Sequence, residues 1–167
     1  KSADIYAFII DRLRAYLRDQ SVAGKAFTSA EIDAVLSQDP AQINDLIDRL
    51  AALREFNALP EAAQLAAANK RISNILKKTT TAIPAACSKQ LLQIPAEIAV
   101  YQTLESITPT LNAACAKRQF VELLKALVAL SAPIDQFFAD VMVMDPNPEL
   151  RDNRLALLQQ LHQKMNL

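Results

Sequence analysis

The chain has one histidine, His162, two cysteines, Cys87 and Cys115, and one glycine, Gly24, and these few residues bound the chemistry it can host. His162 lies among glutamines in a helical pattern near the C-terminal end, where an imidazole reads as a solvated side chain more readily than as a general base. The cysteines form no CxxC and have no Cys/His spacing, so neither a zinc site nor a disulfide framework is expected, and a reduced cytosolic compartment fits. With a single glycine, no phosphate-cradling loop or dinucleotide fingerprint can form. The acidic pairs Asp45/Asp48 and Asp135/Asp140 fall on amphipathic helices, where carboxylates ordinarily form the wet face. A hydrolase or transferase would need a pocket of clustered titratable groups that nothing in the sequence foreshadows. No catalytic residue and no metal ligand is expected in this chain.

Charge is the more informative feature. Lys and Arg number 18 and Asp and Glu number 18, a net charge of zero, but the distribution is uneven. Residues 1–61 carry 7 basic and 10 acidic groups, and residues 97–167 carry 6 and 8. The stretch between them, 62–96, holds Lys70, Arg71, Lys77, Lys78 and Lys89 and no acid. On a helix advancing about 100° per residue, Leu65, Ala68, Ile72, Ile75 and Leu76 share one side. Lys70, Asn74, Lys77 and Lys78 fall opposite, with Arg71 at the edge of that polar face. Such a helix can anchor itself by its aliphatic side, hold phosphates with its cations and reach a base edge with Asn74. Arg14 and Arg18 make a similar i, i+4 pair opposite the apolar stripe of an earlier helix. Any one of these residues reads equally well as a solubilising charge; the acid-free run as a group is harder to read that way.

The elements that must position these residues are helical. Hydrophobic residues make up 51% of the 167, Ala and Leu recur throughout, and both head the helix scale. A chain of this length can bury roughly 70% of its unfolded surface without metal or disulfide. Ile5, Ile9, Leu13, Tyr16 and Leu17 predict a helix over about 4–20, with Gly24 as a break. Thr28 and Glu31 form a capping box that opens a short helix through Leu36. Asp39 is expected to cap the next, with Pro40 at its first position and an apolar pattern from Ile43 to Leu53 running to about Asn57. Pro60 starts the basic helix, which frays at Thr79–Thr81. A loop with Pro84 follows, then a long helix from Pro95 and Glu97 through Ala116 that Pro109 should kink or divide. QFVELLKALVAL is a further helix ending at Ser131, Pro133 opens IDQFFADVMVM, and Asn147 caps a last helix, ELRDNRLALLQQLHQ. The sum is an all-α bundle of seven or eight helices without β-sheet. No internal repeat and no Ser/Gly linker divides it, so 1–167 is expected as a single domain. No apolar run approaches the ~18 residues of a membrane span.

The blocks FIIDRLRAYLRDQ, AAANKRISNILKK, FFADVMVM and ELRDNRLALLQQL, in this order and spacing, resemble the C-terminal region of bacterial glycyl-tRNA synthetase β subunits. That region is similar to the DALR-type helical anticodon-binding domain found also in arginyl-tRNA synthetases. The resemblance spans essentially the whole chain, with the segment Thr79–Ile94 matching no family pattern. It implies a fragment of a longer cytoplasmic subunit, working with the α subunit and the remainder of β in an enzyme that joins glycine to its tRNA using ATP and Mg. The adenylate chemistry then belongs to α, and this chain is assigned to the anticodon arm. Unstacked RNA bases are met by aromatic or Arg planes and phosphates by Lys and Arg, which selects Arg14, Arg18, Lys70, Arg71, Asn74, Lys77 and Lys78, with Tyr16 a weaker candidate whose spacing also suits the core. Phe137, Phe138, Val141 and Met142 are expected to fill a helix junction. The competing reading is a docking domain that contacts the rest of the synthetase, for which exposed aliphatic patches would speak.

Overall fold

The computed structural model describes residues 2–22, 24–36 and 45–167. Their contacts fall into two compact units, residues 1–58 and 59–167. The boundary carries no Gly- or Ser-rich connector. One helix ends at Asn57 and the next begins at Pro60, whose fixed φ suits a first helical position. Each unit is described by itself below.

The first unit contains α1 (Ser2–Asp19), a hairpin of two-residue strands β1 (Ser21–Val22) and β2 (Lys25–Ala26), α2 (Ser29–Leu36) and α3 (Leu46–Asn57). The hairpin pairs Ser21 with Ala26 and Val22 with Lys25 and is the only strand pairing among the described residues, a local turn on an otherwise helical fold. Gly24 makes it possible, since its φ of 74° is one that other residues adopt at a cost. The Thr28/Glu31 capping box forms as expected: the Thr28 amide donates to Glu31 Oε2 at 2.7 Å and the Glu31 amide to Thr28 Oγ1 at 3.2 Å. Arg54 on α3 clamps the hairpin to this helix start. It donates to the carbonyls of Lys25 and Ala26 at 2.7 and 2.8 Å and to Glu31 Oε1 at 3.2 Å, with its guanidinium 4.5 Å from the Phe27 ring centre. Leu17, Phe27, Ile32, Val35, Leu36, Leu46 and Leu50 form the core. The Asp39 cap, Pro40 and Ile43 lie outside the described residues, as does the side chain of Ile5.

The second unit is built from α4 (Pro60–Lys78), a turn of 3-10 helix at Lys89–Leu91, α5 (Pro95–Ala116), α6 (Phe120–Leu127), α7 (Ser131–Asp140) and α8 (Pro148–Met165). With the first unit this makes eight α-helices among the described residues, an all-α fold as the Ala/Leu composition predicts. α5 is the centre, packing on α6, α7 and α8, while α4 packs on α7 and α8. Pro109 does not divide α5, which runs unbroken through it. α5 ends in a Schellman arrangement: Arg118 takes the left-handed conformation at φ 56°, the Gln119 amide reaches the Ala114 carbonyl at 2.9 Å, and the Arg118 amide reaches Cys115 at 3.1 Å. This position usually falls to glycine, and the chain's only glycine is at 24.

Two other boundaries differ from the sequence reading. The helix of QFVELLKALVAL tightens into a 3-10 turn at Val128–Leu130 and passes directly into α7, so Pro133 sits inside the first turn of α7 instead of opening it. α7 stops at Asp140, leaving VMVM outside any helix. The backbone turns extended at Val141 (φ −108°, ψ 120°), and Val141 and Val143 are buried while Met142 and Met144 are 65% and 58% exposed. Of the four residues assigned to the helix junction, Phe137 and Val141 fill it, Phe138 is half-buried, and Met142 points outward. Asn147 caps α8 as expected, accepting from the Glu149 amide at 2.9 Å.

Candidate nucleic-acid interface

α4 has the phase that its sequence predicts. Leu65, Ala68 and Ile72 are buried, and Ile72 is wholly so. Lys70, Arg71, Asn74, Lys77 and Lys78 are exposed. Ile75 and Leu76, expected in the core, are only half-buried, because they lie at the two margins of the apolar stripe. Lys70, Arg71, Asn74 and Lys78 line one open depression with Ala67 and Ile75. Lys77 is on the same face beside it. Lys77 and Lys78 also occupy the last turn of α4, where cations complement the helix dipole. Thr79 Oγ1 donates to the Ile75 carbonyl at 3.0 Å and ties off that end.

Within the depression Arg71 is special. Its guanidinium lies 4.0 Å from the ring centre of Phe138 on α7, and Phe138 meets the buried Phe137 edge-on at 5.5 Å between ring centres. Among the described residues no carboxylate pairs with Lys70, Arg71, Lys77 or Lys78, so the cations of this face are not neutralised by the unit that carries them. The role of Phe138 was hidden in the sequence, where it reads as one more junction aromatic. It stands 67 positions from Arg71, and only the packing of α4 on α7 joins the two.

Arg14 and Arg18 belong to the other unit. Arg14 is committed to neighbours, its Nε at 3.0 Å from Asp33 on α2 and Nη1 at 3.9 Å from Asp11. Arg18 is exposed in the last turn of α1. Tyr16 is 54% exposed and shares a face of α1 with Phe8 and Ile9, 61% and 42% exposed, where Arg12 lies 5.3 Å from the Phe8 ring centre. The apolar band of α1 is therefore broader than its buried edge, which is formed by Ile10, Leu13 and Leu17.

The remaining polar chemistry of the second unit is structural. Arg154 on α8, 3% exposed, bonds to the carboxylate of Glu97, 1% exposed, and donates to Asp145 Oδ2 at 2.6 Å and the Met142 carbonyl at 2.9 Å. The other oxygen of Glu97 accepts from the Gln93 and Ile94 amides at 2.8 and 2.9 Å, so one side chain both caps α5 and neutralises the buried guanidinium. The Asn147 amide, followed by Arg154, holds the Asp145 carboxyl below its ordinary range. Asn153 fixes the loop before the 3-10 turn, accepting from the Ser88 amide at 2.6 Å and donating to its carbonyl at 3.1 Å. Burial, helped by the charge of Glu97, pushes the Cys87 thiol up to about 11, so it stays protonated and unreactive near neutrality. His162 offers its backbone carbonyl to Asn166 at 2.6 Å. Among the described residues no three His, Cys, Asp or Glu side chains gather as a metal site would require, and no helix is long and apolar enough to cross a membrane.

Known sequences place this geometry in a family context. A family model described as the DALR anticodon binding domain matches residues 65–167, a span that includes Lys70, Arg71, Asn74, Lys77 and Lys78 of α4 and all of α7. The chain is 48% identical over 164 residues to the glycine–tRNA ligase beta subunit of Dechloromonas aromatica (strain RCB), covering 98% of this chain and 22% of that protein. It is 50% identical over 159 residues to the subunit of the same name from Methylobacillus flagellatus and 49% identical over 159 residues to that of Janthinobacterium sp. (strain Marseille). Each of these alignments covers 95% of this chain and 22% of the relative. The chain thus spans about a fifth of the length of these curated relatives.

Proposed function

This chain belongs to the DALR anticodon binding domain family, and on that premise we propose that it is the anticodon-arm recognition module of a glycyl-tRNA synthetase β subunit. The observation that supports this most directly is the exposed face of α4, where Lys70, Arg71, Lys77 and Lys78 are free of carboxylate partners among the described residues and surround Asn74. Phosphates of a tRNA loop are held by such cations, and an amide in their midst can reach a base edge. Residues 1–167 act as one module of the whole subunit, with Arg18 a further phosphate contact and Arg14 a weaker one, since it already serves Asp33.

The relatives bear the name of a ligase, and glycylation of tRNA is the activity proposed for the enzyme to which this chain contributes. ATP and Mg serve the adenylate step, which is assigned to the α subunit. The residues here do not fit them, because one glycine cannot build a phosphate-cradling loop. The α subunit, the rest of β and glycine tRNA are the proposed partners, in the cytoplasm. A docking role is favoured by one specific feature, the exposed Phe8, Ile9 and Tyr16 on α1, and we assign it to the first unit alongside RNA recognition by the second.

The test is a titration of the chain with glycine tRNA over a range of salt. Affinity should fall with a log–log slope of about −0.7 to −0.9 per phosphate neutralised. Substituting Lys70, Lys77 and Lys78 together by Ala should lower affinity and flatten the slope without moving the melting temperature, because exposed charges add little to folding. An unchanged slope in that triple variant would leave α4 as a solvated face and docking as the main role.

A further inference from the structure

The depression on α4 carries a feature that electrostatic capture of phosphates does not need. A cation that serves only as a charge needs no fixed plane, and lysine, a point charge on a flexible stem, has none. Arg71 instead has its guanidinium carbon over the Phe138 ring, 4.0 Å from the ring centre, and Phe138 is itself set edge-on against Phe137, which is 1% exposed. The order runs outward from the core: Phe137 is fixed by burial, Phe138 by Phe137, and Arg71 by Phe138. The outer face of a guanidinium held this way is a flat, preorganised surface, and planar cations stack on π-systems. Asn74 lies one turn along the same face and lines the same depression, with Lys70 and Lys78 on its rim. That combination, a plane with a hydrogen-bonding edge beside it and cations around it, suits an unstacked nucleobase attached to a phosphate backbone.

We propose that Arg71, positioned by Phe138, forms a stacking platform for one unpaired base of the bound RNA, with Asn74 meeting the edge of that base and Lys70 and Lys78 its flanking phosphates. The proposal rests on the anticodon-arm reading and adds a specific residue pair and contact mode to it. Charge alone does not supply this contact, so a lysine at position 71 cannot replace the arginine, whereas a tyrosine at position 138 can replace the phenylalanine.

The experiment measures binding of the full chain to an anticodon stem-loop RNA of glycine tRNA and to a set in which each loop base in turn is removed, leaving an abasic sugar. Arg71→Lys should weaken the intact loop about five- to 160-fold, the range found when a side chain that stacks on one base is removed. It should leave the salt slope unchanged, because the charge is kept. One abasic position should weaken the parent by a similar factor and Arg71→Lys no further, which identifies the stacked base by non-additivity. Phe138→Leu should behave like Arg71→Lys, and Phe138→Tyr like the parent. A merely structural Phe138 would lower the melting temperature without this position-specific coupling. If Arg71→Lys binds as the parent does, or its effect multiplies with that of every abasic position, the platform is overturned while salt-dependent capture by the lysines stands. If the parent shows no salt-dependent binding to the intact loop, the anticodon-arm reading and the platform fall together.

Discussion

At the residue scale, burial decides what a substitution does, and α4 offers the contrast within one helix. Ile72 is fully buried while Lys77, five positions on, is exposed. Ile72→Ala should cost about 2–5 kcal/mol, the lost transfer energy plus a cavity, and Lys77→Ala should stay within about 0.5 kcal/mol. Equal shifts of the urea midpoint would contradict the face assignment. Leu13 and Ile75 belong to the same apolar stripes but are only half-buried, so truncating either should cost less than Ile72→Ala. Arg154 tests the opposite case, a buried charge. Arg154→Met leaves the Glu97 carboxylate buried without its cation, and losing one partner of such a pair costs about 3–5 kcal/mol. Adding Glu97→Gln should recover part of that loss in a double-mutant cycle, and strictly additive losses would show that the two groups are not coupled. The polar face of α4 was legible because a helix period sorts residues by local spacing alone. The Arg154 network was not, since its guanidinium and the Glu97 carboxylate are 57 positions apart and nothing local distinguishes either from a surface charge.

At the scale of elements, the start of α2 combines a cap, an ion pair and a hairpin clamp at one carboxylate. The Glu31 carboxyl is lowered to about 2 from an ordinary 4.5, first by its hydrogen bond from Arg54, with the Thr28 amide and hydroxyl assisting and burial opposing. A depressed carboxylate stabilises the fold fully above its unfolded pKa, and the contribution fades as pH falls through the folded value. The stability advantage of the parent over Glu31→Gln should therefore be constant above about pH 5 and shrink between about pH 4.5 and pH 2. A gap independent of pH, measured by urea denaturation across that range, would show that Glu31 acts as a neutral cap. Elements whose ends are set by neighbours in sequence were legible: the α2 capping box, the Pro60 start of α4 and the Asn147 cap of α8. Ends set by tertiary packing were not. VMVM continues the pattern of IDQFFAD, yet α7 stops before it: Val141 turns extended, Val143 is buried with it, and the Met142 carbonyl is taken by Arg154. Pro109 does not divide α5, a long helix that packs on α6, α7 and α8.

For the molecule as a whole, the division at Ala58 and Leu59 separates the residues proposed for RNA contact into two sets. Lys70, Arg71, Asn74, Lys77 and Lys78 lie in the unit that the DALR family model covers almost entirely, and Arg14 and Arg18 lie outside it. The second unit has its own core, in which Val100, Leu111, Leu130, Leu157, Leu158 and Leu161 are completely buried, and its helix ends are satisfied by its own Glu97, Asn147 and Asn153. At 109 residues it is also within the size that folds unaided. A fragment of residues 59–167 should therefore melt cooperatively with a helical circular dichroism spectrum and should bind glycine tRNA with a salt slope close to that of the full chain. Arg14→Ala and Arg18→Ala in the full chain should reduce that slope by less than the triple lysine substitution on α4, Arg14 least of all because Asp33 already neutralises it. If the fragment folds but loses tRNA affinity by more than tenfold, the first unit carries a principal part of the RNA contact. The exposed face of Phe8, Ile9 and Tyr16 would then have to be considered with Arg18 as part of that surface, and not as a site for docking within the synthetase.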